Sequence, residues 1–179
     1  MNESEKVEQL EEKGRQIFEN YCNQQEWCTI IRWSKKRFSP WDVSFSSGNT
    51  KGYSVEIIGE IKVRSYESQA FGDWYLEHDK LIALKEIREN YINKKIMYIN
   101  IFTDDKLRAW DLDMPSMKDK VIKKKMMPKN EYNDTTMVQK DVYSLFNREA
   151  ILDSEIDSLE KTLLNNIKPN IDEDDELPW

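Results

Sequence analysis

The chain has 179 residues, 39% of them apolar and 34% charged, with a formal net charge of −7 and a mean hydropathy of −0.81. Aromatic residues, at 11%, separate it from disorder-prone compositions, and no apolar run approaches the roughly 20 residues of a membrane span. With one histidine and two cysteines, a zinc site of those residue types is disfavoured and a Ser-His-Asp triad would have to use His78, so hydrolytic chemistry falls to carboxylates and a divalent ion.

Val7, Leu10, Gly14, Ile17, Phe18 and Tyr21 recur at helical spacing and predict an amphipathic helix over 4–22. The acidic start MNESEKVEQLEEK lacks the apolar stretch of a secretory signal, which points to the cytoplasm. Cys22 and Cys28 are expected as free thiols of a reducing compartment. Thr29 to Trp33 is a short β-branched strand, and Ser39-Pro40 breaks the chain. From Trp41 to Phe45 the residues alternate, with Trp41, Val43 and Phe45 on one face and Asp42 and Ser44 on the other. A turn region over 46–52 leads to a long strand, Tyr53 to Arg64. A helix is predicted over 72–91, with Asp73 as its cap. An apolar strand over 96–102 turns at Thr103–Lys106 into a strand over 107–112. Residues 113–140 read as irregular and basic; 141–148 and 151–167 read as helices. The stripe on the last helix suits packing on its own domain or, failing that, a homodimer contact.

The expected fold is therefore α/β: a mixed β-sheet flanked by helices, in the order α-β-β-β-α-β, with a C-terminal helical extension over residues up to 167 and an acidic flexible tail over 168–179.

The charge is unevenly spread. Residues 1–13 hold five acids and two lysines, and residues 168–179 hold five acids and one lysine; of the chain's 34 acids and 27 bases, 24 of each remain between them. Bases in that neutral body cluster at Lys35, Lys36 and Arg37, and at Lys123, Lys124 and Lys125 with Lys118, Lys120 and Lys129 nearby. Such clusters are solvated surface or contacts to DNA phosphates.

Glu60 and Lys62 share one face of the long strand, while Val55, Ile57, Ile61 and Val63 share the other. A two-residue turn at Lys51-Gly52 would bring Asp42 opposite Ile61 and beside Glu60. A turn at Gly48-Asn49 would put it opposite Val55, out of reach; a bulge or longer loop is a third route, and the register stays open. Two carboxylates a few Å apart repel each other and favour a hard dication such as Mg2+ or Mn2+ between them. An adjacent lysine can orient an attacking water and offset charge building on a phosphate.

Ser39-Pro40-Trp41-Asp42 and Glu60-Ile61-Lys62, set in that order of elements, resemble the PD-(D/E)XK nuclease superfamily, which includes restriction enzymes, Holliday-junction resolvases and phage exonucleases. The resemblance implies that Asp42, Glu60 and the Ile61 carbonyl hold magnesium and that Lys62 serves catalysis. It implies a Mg-dependent endo- or exodeoxyribonuclease of replication, recombination or repair, of a kind phages encode. Many members add a glutamate from the first helix; the spacing here lands near Arg15-Gln16, leaving Glu12, Gln16 or Glu19 as candidates.

The final residues, Asp174 and Asp175 followed by Leu177, Pro178 and Trp179, resemble the tip of bacterial single-stranded-DNA-binding proteins. That implies docking on replication or repair partners through a buried aromatic and steering acids; Trp stands where Phe is usual. The alternative function is a non-catalytic protein that binds single-stranded DNA or such a partner, stacking bases on Trp27, Trp33, Trp41 or Trp74.

Overall fold

The computed structural model describes residues 3–35, 39–48, 54–90, 94–129 and 136–155. Helix α1 spans Glu3–Gln24. It is followed by strands β1 (Cys28–Trp33), β2 (Val43–Gly48) and β3 (Ser54–Val63). Then come β4 (Asp73–Glu77), α2 (His78–Glu89), β5 (Lys94–Ile101) and β6 (Lys106–Asp111). The described chain ends with β7 (Lys123–Pro128), β8 (Met137–Phe146) and β9 (Leu152–Glu155), with one-turn 3-10 segments at Pro115–Met117 and Asn147–Glu149.

Six strands form the main sheet in the order β1-β2-β3-β5-β6-β9. Only β3 and β5 run parallel; their neighbours are antiparallel, so the sheet is mixed as expected. Both faces of β3 are covered, and its alternation says by what. Ile57 and Ile61 pack with Ile17, Phe18 and Tyr21 of α1, while Ile58 packs with Leu81 and Leu84 of α2 and with Trp74 and Leu76 of β4. Each large side chain buried in this way contributes about 1.5–3 kcal/mol. Gly14 lets α1 lie close on the sheet: a Cβ there would meet Val63 Cγ2 at 2.6 Å.

The hairpin turn between β5 and β6 falls where predicted, with Asp105 in the left-handed region at φ 61°, a conformation Asp tolerates better than most residues. Several other expectations are corrected. The helix predicted from residue 72 begins at His78, and Asp73 opens a strand instead of capping a helix. In Asp73–Glu77 the alternation buries Trp74 and Leu76, and β8 supplies the pairing that makes this a strand. The stretch expected to be irregular contains β7, and the helix expected over 141–148 is most of β8. Together β4, β8 and β7 form a second, three-stranded sheet. The helix expected over 151–167 starts as strand β9, which pairs with β6; residues 156–167 lie outside the described residues, as does the tail.

Cys22 and Cys28 are not free thiols but a disulfide pair. The turn that ends α1 brings them together: the Gln25 amide donates to the Cys22 carbonyl at 3.0 Å and the Cys28 amide to the Gln25 carbonyl at 3.2 Å. Their Cα atoms end up 4.9 Å apart, a separation a disulfide spans. Among the described residues no helix is long and apolar enough to cross a membrane.

Candidate active site

The register that the sequence leaves open is decided by a five-residue connection between β2 and β3. The ladder runs from Gly48↔Ser54 to Val43↔Gly59, so one step further Asp42 stands level with Glu60. Residues directly opposite in an antiparallel pair share a face, and this pairing differs from both two-residue turns considered above. The Asp42 backbone extends both ladders: its amide donates to the Gly59 carbonyl at 2.9 Å, and its carbonyl accepts from the Ser34 amide at 2.7 Å. Its side chain reaches the next peptide, with Oδ2 accepting from the Ile61 amide at 2.8 Å. Asp42 therefore lies against the Glu60-Ile61-Lys62 segment through main chain and side chain together.

Glu60 is 3% exposed, buried where α2 and β4 cover the sheet. Oε1 is 2.8 Å from Lys80 Nζ and 4.0 Å from Lys62 Nζ. Oε2 is buried without a hydrogen-bond partner. Burial, and then the charge of Asp42, push the Glu60 pKa from 4.5 up to about 8 against the opposing pull of Lys62 and Lys80. The carboxyl group thus has one oxygen paired with ammonium groups and the other buried without a hydrogen-bond partner.

Lys80 lies in the first turn of α2. The helix dipole disfavours a cation there; the contact with Glu60 offsets that cost and explains why the residue is tolerated. In the sequence Lys80, with Tyr66 and Tyr75, is a candidate to support the site as a residue of the segment after the Glu60 strand; its partner is distant in the chain and is met only when α2 packs over the sheet against β5 and β4.

Beside this pair opens a cleft of about 200 Å3, lined among others by Leu10, Glu11 and Arg15 of α1 and by Asp42, Lys62 and Arg64. Glu60 is not part of its wall and sits deeper, towards α2. The first-helix acid on the cleft is Glu11, not one of the three candidates picked by spacing. Glu12 and Gln16 are exposed, Gln16 donating to Asn20 at 3.1 Å, and Glu19 is half-buried but does not line the cleft. The spacing assumes a fixed distance to the next strand, whereas helical phase sets which first-helix acid faces the cleft, here Glu11. Asp42, Glu60 and the Ile61 carbonyl could hold a metal; no cluster of three or more His, Cys, Asp or Glu side chains suited to a metal occurs among the described residues.

The basic residues fall into separate places. Lys35 is exposed just after β1, and Lys36 and Arg37 lie outside the described residues. Lys123, Lys124 and Lys125 are exposed on β7, the edge of the small sheet. Lys123 donates to Ser144 Oγ at 2.8 Å, and the Lys125 ammonium lies 4.8 Å from the centre of the Tyr75 ring. Asp174, Asp175, Leu177, Pro178 and Trp179 lie outside the described residues. Trp74, offered as a stacking platform, is core at 4% exposure, and Trp27, Trp33 and Trp41 pack at the margins of the two cores.

No family model matches the chain, and no curated protein matches it. Among solved structures it is similar to Hjc, a Holliday junction resolvase from the archaeal hyperthermophile Archaeoglobus fulgidus. That match has a TM-score of 0.41 at 13% identity and covers 76% of this chain and 88% of that one. At such distance, function has to be argued from the side chains themselves.

Proposed function

We propose that this chain is a divalent-metal-dependent deoxyribonuclease that hydrolyses phosphodiester bonds in DNA recombination or repair. One observation carries the reading: a carboxylate at the end of the central strand, 3% exposed, keeps a buried oxygen without a hydrogen-bond partner. A buried acid in that state is costly unless it has a ligand to meet.

The donor set fits magnesium or manganese. Glu60, Asp42 and the Ile61 carbonyl are all hard oxygen donors, and Glu11 on the cleft wall is a further acid able to hold a bound water. A divalent ion held there supplies an acidified water and offsets charge on the phosphate oxygens. The remaining work belongs to the chain. Lys62, two residues beyond Glu60 and on the cleft wall, orients the attacking water and offsets negative charge as the phosphorus becomes five-coordinate. Lys80 holds the Glu60 carboxylate in place and neutralises it. Arg15 and Arg64 on the cleft wall hold the flanking phosphates. The resemblance to the PD-(D/E)XK nucleases implies that the water oxygen bonds to phosphorus as the P–O3′ bond breaks, the departing 3′ oxygen taking a proton from solvent, which leaves a 5′-phosphate and a 3′-hydroxyl.

The test is cleavage of supercoiled plasmid and of single-stranded DNA, with and without Mg2+, by the wild type, Glu60→Gln and Asp42→Asn. Metal-dependent cleavage that both isosteric variants lose is the expected result. DNA binding with no cleavage by any of the three proteins under either metal would replace the nuclease with a DNA-binding platform.

A further inference from the structure

The cleft does not end at Lys62. Val63 and Arg64 also line a second pocket, of about 210 Å3, between the segment that leaves β3 and the small sheet. Arg64, Tyr66, Tyr75, Lys125, Met126 and Met127 lie along it. The volume is of the order of one nucleotide, not of a duplex. Its walls include two tyrosines, two methionines and two cations, and the acid on the wall, Asp73, faces Lys123 at 3.8 Å.

The fold holds these groups in a set arrangement. Arg64 donates through Nη2 to the Tyr98 hydroxyl at 2.8 Å and through Nε to Asn100 Oδ1 at 3.3 Å, and its guanidinium lies 5.4 Å from the centre of the Trp74 ring. Tyr66 packs edge-on against Phe71, which packs edge-on against Trp74. In β4, Trp74 and Leu76 face the core, so Tyr75 faces away from it, on the same side of the small sheet as Lys123 and Lys125. An aromatic face with a cation over it, beside an exposed run of three lysines on an edge strand, matches how proteins hold single strands: bases stack on rings while cations track phosphates.

We propose that this pocket binds an unpaired nucleotide of the same strand whose phosphate enters the cleft, its base against Tyr75 and Tyr66 and its phosphate between Arg64 and Lys125. The substrate class that follows is DNA with a single-stranded segment adjoining the cleavage point. This rests on the nuclease reading for the position of the scissile phosphate, and on the pocket alone for the nucleotide.

The experiment is equilibrium binding by fluorescence anisotropy in EDTA, using a labelled short oligothymidylate and a duplex of equal length at one fixed salt concentration. The wild type should prefer the single strand. Tyr75→Ala should weaken single-strand binding roughly tenfold with little change for duplex, and Tyr75→Phe should restore it. Lys125→Gln should weaken it too and flatten its salt dependence. The Phe variant keeps the ring, so its recovery separates loss of stacking from loss of folding.

Equal affinity for single strand and duplex, or a Tyr75→Ala protein that binds oligothymidylate like the wild type, overturns the proposal. So does binding of a peptide of residues 168–179 that Tyr75→Ala abolishes while oligonucleotide affinity stays unchanged; the pocket would then belong to the chain's own terminus. Because no divalent metal is present, absence of cleavage elsewhere removes the nuclease and leaves this result standing.

Discussion

Replacing Glu60 by Gln keeps the shape of the side chain and removes its charge, which separates two roles of the same carboxyl. In the metal-free protein Glu60 has its pKa near 8, against 4.5 for an exposed glutamate. At about 1.36 kcal/mol per pH unit, ionising it in place costs on the order of 5 kcal/mol. The sign follows from linkage. Below about pH 4.5 the group is neutral in both folded and unfolded chains and costs nothing. Between about 4.5 and 8 only the unfolded chain releases the proton, so wild-type stability falls as pH rises; above about 8 the loss levels off. The Gln variant has no such dependence. Urea unfolding in EDTA across this range should show the two proteins diverging steadily, with the variant several kcal/mol the more stable at the alkaline end.

Adding Mg2+ should reverse the order. Metal binding to the folded wild type replaces the proton and raises its stability by mass action, more so at alkaline pH, while the Gln variant gains little. A stability difference that stays flat with pH would mean that Glu60 is not a buried acid held neutral. Equal stabilisation of both proteins by Mg2+ would mean that it is not a ligand.

Lys62→Gln should lower the cleavage rate by about 100-fold or more while leaving DNA affinity in EDTA within a few-fold of wild type; a parallel loss of binding would make Lys62 a phosphate contact only. Lys80→Met removes one of the two ammonium groups that lower the Glu60 pKa, so the rising limb of the pH–rate profile should move to higher pH, and an unmoved limb would refute their coupling. Glu11→Gln should raise the metal concentration needed for half-maximal cleavage, whereas Glu12→Gln and Glu19→Gln should not; metal titrations of the three variants decide between them. Gly59→Ala puts a Cβ 3.0 Å from Val43 Cγ1 and 3.1 Å from Ile99 Cδ1. Overpacking there should cost about 1–3 kcal/mol of unfolding free energy, read from denaturant unfolding, and, because Asp42 directly precedes Val43 in the chain and moves with it, lower cleavage as well.

The candidate chemistry is concentrated in a short stretch, and much of it is written locally. Period-two alternation through Val55–Val63 put Glu60 and Lys62 on one face, and helical spacing from Val7 to Tyr21 supplied the layer over the other. Those patterns depend on neighbours a few residues away, so the mixed sheet and its first helix could be read without coordinates. The elements that were misassigned depend on distant partners. Asp73–Glu77 and 141–146 are strands because they pair with each other, about seventy residues apart, and together they build the small sheet.

Three things needed the tertiary structure. The β2–β3 register came from a five-residue connection that turn propensity does not select, and a shift of one residue there turns Asp42 to the opposite face. Lys80, a candidate for supporting the site in the sequence, met Glu60 only because α2 packs over the sheet against β5 and β4. Glu11 reached the cleft through the rotation of α1 about its axis, which Gly14 permits by letting the helix lie close on Val63. Amino-acid order alone determined which residue types stand on which side of a strand, since that follows from backbone geometry. Which of those side chains meet across the fold, and how far burial moves the Glu60 pKa, was decided by packing between segments far apart in the chain.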